Sequence, residues 1–129
     1  TSLIADVLSG RHLRFQQSIE VDSVDALFGA LEKWVQTEGC RGCLFLRAYG
    51  ETGGDTPDIA KAVFTHKASL YEKIQKIVSI ETHGKSNSEL AEQVLILFEG
   101  ATSAAIYRGA EAIRSAQTAA SVLIQQARL

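Results

Sequence analysis

Between residues 88 and 107 the chain carries two apolar stripes side by side. Leu90, Val94, Leu97, Ala101 and Ala104 recur at steps of three and four, and Ala91, Leu95, Phe98, Thr102 and Ile106 repeat the pattern one position on. Such steps are the period of an α-helix. A surface helix of a monomer needs one apolar stripe, so two adjacent stripes mean burial against two things. Residues 110–127 have the same character, with Ile113, Ala116, Ala120, Leu123 and Ala127 beside Ala112, Ala119 and Ile124, and their alanines permit close helix approach. The two segments predict a helical hairpin. In one reading it packs on its own domain and on a symmetry mate in a four-helix dimer interface. Leu90, Val94, Leu97, Ala101, Ile113, Ala116, Ala120 and Leu123 are then the interface residues. In the other reading the hairpin is the buried centre of a monomer.

The rest of the chain also reads as helix. Residues 3–19 have a moderate pattern weakened by Gly10. Asp22 or Ser23 caps a second helix to about residue 37, whose stripe is Val24, Leu27, Phe28, Leu31, Trp34 and Val35, and Glu38-Gly39 forms its end. Residues 42–51 form a short apolar block poor in β-branched residues, which suits a buried helix. After the break at Thr52-Gly53-Gly54-Asp55, Thr56 is an N-cap and Pro57, the only proline, sits at the first helical position of a helix to about residue 81. Asn87 or Ser88 caps the first helix of the hairpin, and Arg108-Gly109 divides its two arms. The expected fold is all-α, a bundle of about six helices in a single domain over residues 1–129.

Composition narrows the function. A chain of 129 residues with 46% hydrophobic and 22% charged residues can bury one core. No apolar run approaches the roughly 20 residues of a membrane span. No basic, apolar leader opens the chain, so a cytoplasmic protein is expected. The 13 basic residues are scattered among 15 acidic ones, with formal net charge −2. Phosphate-binding surfaces cluster their Lys and Arg, so this segment alone is a poor partner for DNA. The chain contains no Met and starts at Thr1, which suggests that something preceded Thr1, a processed N-terminus being the alternative.

Few constellations carry chemistry. Cys40-Arg41-Gly42-Cys43 is a C-x-x-C, but a thioredoxin-like site needs it after a strand in a βαβ setting, and zinc needs further ligands. His12, His66 and His83 are lone and far apart. No metal, cofactor or catalytic set is expected, and the protein reads as a non-enzyme. Cys40 and Cys43 are buried hydrophobes or, alternatively, a thiol sensor. His66 either points into a cavity or is an ordinary helical histidine. The Gly50–Asp55 stretch lacks the spacing and the lysine of a phosphate loop. Phe28, Trp34, Phe45, Tyr49, Phe64 and Tyr71 all lie between residues 24 and 81. They could line a small-molecule cavity or form ordinary core.

The order of features resembles the C-terminal regulatory domain of the TetR/AcrR-like transcriptional repressors. The two matching landmarks are Gly42-Cys43-Leu44-Phe45, after Arg41, and the block from Leu90-Ala91-Glu92-Gln93-Val94-Leu95 to Glu99-Gly100-Ala101, with a long helix bearing His66-Lys67 between them and an Ala-rich helix after. The likeness spans nearly the whole chain. It implies a DNA-reading helix-turn-helix of about 50 residues ahead of Thr1, a homodimer formed by the last two helices, and an inducer cavity between about residues 22 and 80. A small apolar or amphipathic effector would bind there, and DNA would be bound only through the preceding domain. The expected cavity residues are Phe28, Leu31, Trp34, Phe45, Tyr49, Phe64 and His66. Thiol sensing through Cys40 and Cys43, and a purely structural helical dimer, are the competing expectations.

Overall fold

A computed structural model describes residues 3–38, 43–85 and 87–129. Six helices account for nearly all of them: α1 Leu3–Ser18, α2 Val24–Glu38, α3 Leu44–Glu51, α4 Pro57–Glu81, α5 Ser88–Arg108 and α6 Ala110–Ala127. There is no strand among the described residues. The all-helical bundle expected from periodicity is what forms.

Local chemistry sets the helix boundaries. The Ser23 hydroxyl accepts from the Ala26 N–H at 3.0 Å, and a Glu81 carboxylate oxygen accepts from the Val24 N–H at 2.8 Å. The start of α2 is therefore satisfied by both its own cap and the end of α4. Asn87 caps α5 by accepting from the Leu90 N–H at 3.0 Å. Thr56 occupies the expected N-cap position of α4, but its side chain makes no capping bond. Gly109 joins α5 to α6 with φ of 69°, in a region that glycine enters without a Cβ penalty. Gly39, expected to end α2, lies outside the described residues.

α4 is the spine. Its 25 residues extend roughly 37 Å at the α-helical rise. Ile59, Val63, His66, Leu70, Ile74 and Ile77 form one buried stripe along it. The first two join Leu8, Phe45 and Ala48 in a small hydrophobic cluster under α1 and α3. Those beyond His66 join the main core, which takes Phe15 from α1, Ile19 just after it, and the inner faces of α2, α5 and α6. His66 sits between the two.

The hairpin of α5 and α6 is the most extensive helix pairing. Its inward faces include Leu90, Ala91, Val94, Phe98, Ala101 and Ala105 on α5, and Ile113, Ala116, Ala120 and Ile124 on α6. Ile96 and Val122 remain outside, 62% and 47% exposed. The core is thus built from members of both sequence stripes, because a helix packed between neighbours buries more than one row of side chains.

Three substitutions check this architecture by urea unfolding. Asn87→Ala should cost about 1 kcal/mol, the usual worth of an N-cap bond. Thr56→Ala should stay within about 0.5 kcal/mol, since no capping bond is lost. Ile74→Ala should cost about 2–5 kcal/mol through cavity formation. Equal costs at Asn87 and Thr56 would contradict the cap assignment.

Candidate ligand-binding site

At the seam between the two clusters, His66 is 5% exposed and its ring stacks on Phe45, centroids 3.7 Å apart and planes within 2°. The Phe15 ring of the main core lies tilted against His66, centroids 5.1 Å apart. A buried imidazole needs a polar partner, and His12 of α1 supplies it: the two Nδ1 atoms are 2.9 Å apart. One ring must donate and the other accept, so the rings hold complementary tautomers and cannot both be protonated without losing the bond. Burial pushes the His66 pKa down to about 3, and the charges of Lys67, His12 and Arg11 add to the effect. Burial also lowers His12. The pair is neutral at neutral pH. Its hydrogen bond and the ring stack are each worth only about 0.5–1.5 kcal/mol.

Beside this pair lies a cavity of about 30 Å³, room for about one water. Phe15, Leu31, Trp34, Phe45, Leu70 and Phe98 form its apolar wall, and Arg11, Cys43, His66, Lys67, Glu99 and Thr102 its polar one. Lys67 Nζ donates to both Glu99 carboxylate oxygens at 2.8 and 2.9 Å and to the Cys43 sulfur at 3.2 Å. The Arg11 guanidinium lies 5.0 Å above the Trp34 ring and donates to Glu38 at 2.9 Å. Phe15 meets Trp34 edge-on at 5.2 Å. On the far side of His66 a groove of about 360 Å³ runs between α1 and α4, edged by Gln16, Glu20, Glu72, Lys73 and Lys76. Phe15, His66 and Leu70 border both spaces.

Of the seven cavity residues expected from sequence, Leu31, Trp34, Phe45 and His66 line this cavity. Phe28 does not; it is fully buried in the main core, its ring 5.8 Å from Phe98. Tyr49 and Phe64 pack edge-on to each other elsewhere, and Phe64 is 60% exposed. Phe64 is next but one to His66, and that offset rotates it off the buried stripe of α4. Arg11, Phe15, Phe98, Glu99 and Thr102 were missed because the expected cavity was confined to residues 22–80. His66 had a readable signal: it falls in step with Val63 and Leu70, so a polar residue occupies a core position. Cys43 is a free thiol at the N-cap of α3, facing the cavity. Cys40, the other half of the C-x-x-C, lies outside the described residues. Among the described residues no group of three His, Cys, Asp or Glu side chains could hold a metal ion.

The expected dimer residues divide. Leu90, Val94, Ala101, Ile113, Ala116 and Ala120 are buried in the chain's own core, so they are not available to a partner. Leu97 and Leu123 are half-buried at an outward-facing cleft, with Ile96, Ala119 and Val122. The correction follows from packing: the stripe chosen as the outer one straddles the inward face. No helix among the described residues is long and apolar enough to cross a membrane. Comparisons with family models, curated proteins and solved structures return no match for this chain.

The buried histidine makes acid destabilising. Above about pH 6.5 residue 66 is neutral both folded and unfolded and contributes no pH dependence. Between about 6.5 and 3 the unfolded chain binds a proton there that the folded ring refuses, so stability falls as pH falls, by at most about 1.4 kcal/mol per unit. In urea unfolding from pH 7 to 4, wild type should lose stability faster than His66→Gln. Parallel curves for the two proteins would contradict a buried neutral His66.

Proposed function

We propose that the chain is the effector-sensing and dimerisation part of a TetR-type transcriptional repressor. The observation that carries the reading is the convergence of the two sequence landmarks and the long helix between them. Cys43, Leu44 and Phe45 of the first, Phe98 and Glu99 of the second, and His66 and Lys67 of the helix between them all border one cavity. A small amphipathic effector with an aromatic part suits that lining, apolar rings with a few placed polar groups being the usual character of such sites.

The outer face of the α5–α6 hairpin supports a homodimer. Ile96, Leu97, Ala119, Val122 and Leu123 form an apolar cleft rimmed by Glu89, Glu92 and Gln93. Helical spacing extends the face through Gly100 and Ala104 to Tyr107, which is 79% exposed. Small residues beside exposed aliphatics let two helix pairs approach closely, and a two-fold axis would pair the face with itself. In this reading effector binding biases the arrangement of the dimer and so the separation of two DNA-reading heads, which tolerate little change in spacing. α1, which borders the cavity through Arg11 and Phe15, carries the change to the preceding domain.

A second reading, thiol sensing, has one observation in its favour. Lys67 donates to the Cys43 sulfur as well as to Glu99, so oxidation or alkylation of Cys43 would disturb the same ion pair that an effector reaches.

Native mass spectrometry tests the leading reading. The chain should run near twice 14.0 kDa, and Ile96→Glu combined with Val122→Glu should give a monomer with unchanged far-UV helicity. A wild-type monomer at tens of micromolar, a concentration at which an interface with a Kd of about 1 μM is filled, rejects the dimer and with it the repressor reading.

A further inference from the structure

The inner cavity and the α1–α4 groove are each incomplete as a binding site. The cavity has the aromatic wall of Phe15, Trp34, Phe45 and Phe98 but only about 30 Å³ of space, far below the roughly 150 Å³ in which a protein interior holds a benzene ring. The groove has about 360 Å³, inside the range of small-molecule sites, but its rim is mostly polar and of mixed charge. What separates room from lining is a wall of Phe15, His66 and Leu70 common to both. Phe15 and Leu70 are anchored in the main core. His66 is the polar member, held by one hydrogen bond, to His12, and by ring contacts with Phe45 and Phe15.

We propose that the groove and the cavity are two halves of one site for an aromatic monoanion, and that the His66 ring is the wall between them, turning aside to admit the aromatic end. Charge selects the ligand. Arg11 and Lys67 both present N–H donors to the cavity, each already paired with a carboxylate, Glu38 outside the lining and Glu99 within it. An entering carboxylate can share the remaining N–H groups of both cations, whereas an entering ammonium finds a single carboxylate in the lining, Glu99, already engaged by Lys67. The neutral histidine pair adds no third positive charge and, once its mutual bond is broken, leaves a free imidazole nitrogen to hydrogen-bond the guest. Turning His66 also lifts it from Phe45, whose exposed face becomes a platform for the incoming ring.

This inference rests on the effector-binding part of the repressor reading and not on dimerisation, which is measured separately by mass. Trp34, the only tryptophan in the chain, lines the inner half, so its fluorescence reports arrival there. The probes are 4-nitrobenzoate, whose nitro ring quenches indole on contact, its uncharged amide 4-nitrobenzamide, and the cation 4-nitrobenzylammonium. Quenching by the benzoate should saturate, with the other two at least about tenfold weaker. His12→Ala frees the His66 ring and should strengthen benzoate binding about three- to tenfold, because less of the binding energy is spent on opening. Ser69→Phe, which crowds the groove without touching the aromatic wall, should weaken it by at least as much. Saturable quenching that neither variant changes means that the probe reaches Trp34 without passing His66, and overturns the two-part site while effector binding stands. Equal affinity for benzoate and amide overturns the anion preference. No saturable quenching by any probe, in wild type or His12→Ala, overturns the site altogether, whatever the mass measurement shows.

Discussion

The buried stripe of α4 is the constraint on which the rest of the structure depends. One helix feeds two hydrophobic clusters, with Ile59 and Val63 in the smaller and Leu70, Ile74, Ile77 and Val78 in the larger. Between them the stripe position is filled by a histidine. An aliphatic side chain there would fuse the clusters into one dry core. An imidazole demands a hydrogen-bond partner instead, and the partner is His12 of α1. A single polar bond in an apolar seam thereby sets the register of α1 against α4, since sliding either helix by one residue would leave a buried ring nitrogen unpaired.

The charges around the seam follow the same logic. Arg11 and Lys67 approach the buried histidine from α1 and α4, and each is held by a carboxylate from another helix, Glu38 of α2 and Glu99 of α5. Half-buried pairs of this kind add little net stability, but removing one partner strands the other's charge. They therefore act as ties that fix which helices face each other. Among the described residues no buried side-chain polar atom lacks a hydrogen-bond partner. A guest in this cavity has to exchange partners with groups already engaged, which makes its arrival felt by α1, α2 and α5 together.

The hairpin illustrates how a monomer can use most of an apolar surface and still leave some unspent. α5 and α6 bury a broad face against α2, α4 and each other. What remains outside is narrow but concentrated: Ile96 and Val122 above a cleft floored by half-buried Leu97 and Leu123. Scattered exposed aliphatics are common on folded proteins, whereas a contiguous apolar patch of this kind is not.

Much of the architecture was legible before any coordinates. Apolar steps of three and four marked α2, α4, α5 and α6, and Ser23, Asn87, Pro57 and Gly109 marked ends, because periodicity and capping act between residues a few positions apart. The composition of the cavity was legible only in part. Leu31, Trp34, Phe45 and His66 were anticipated from residue type, whereas Phe28, Tyr49 and Phe64 share that type and point elsewhere. Which of two adjacent stripes on α5 faces inward was not readable either, since both satisfy the same period. By itself the sequence determined six helices and most of their limits. Only the tertiary structure decided that His12 and His66, 54 residues apart, share a hydrogen bond, and that Lys67 meets Glu99 across the seam. Those pairings depend on how whole helices dock, and docking is set by the summed shape of many side chains, which no local pattern encodes.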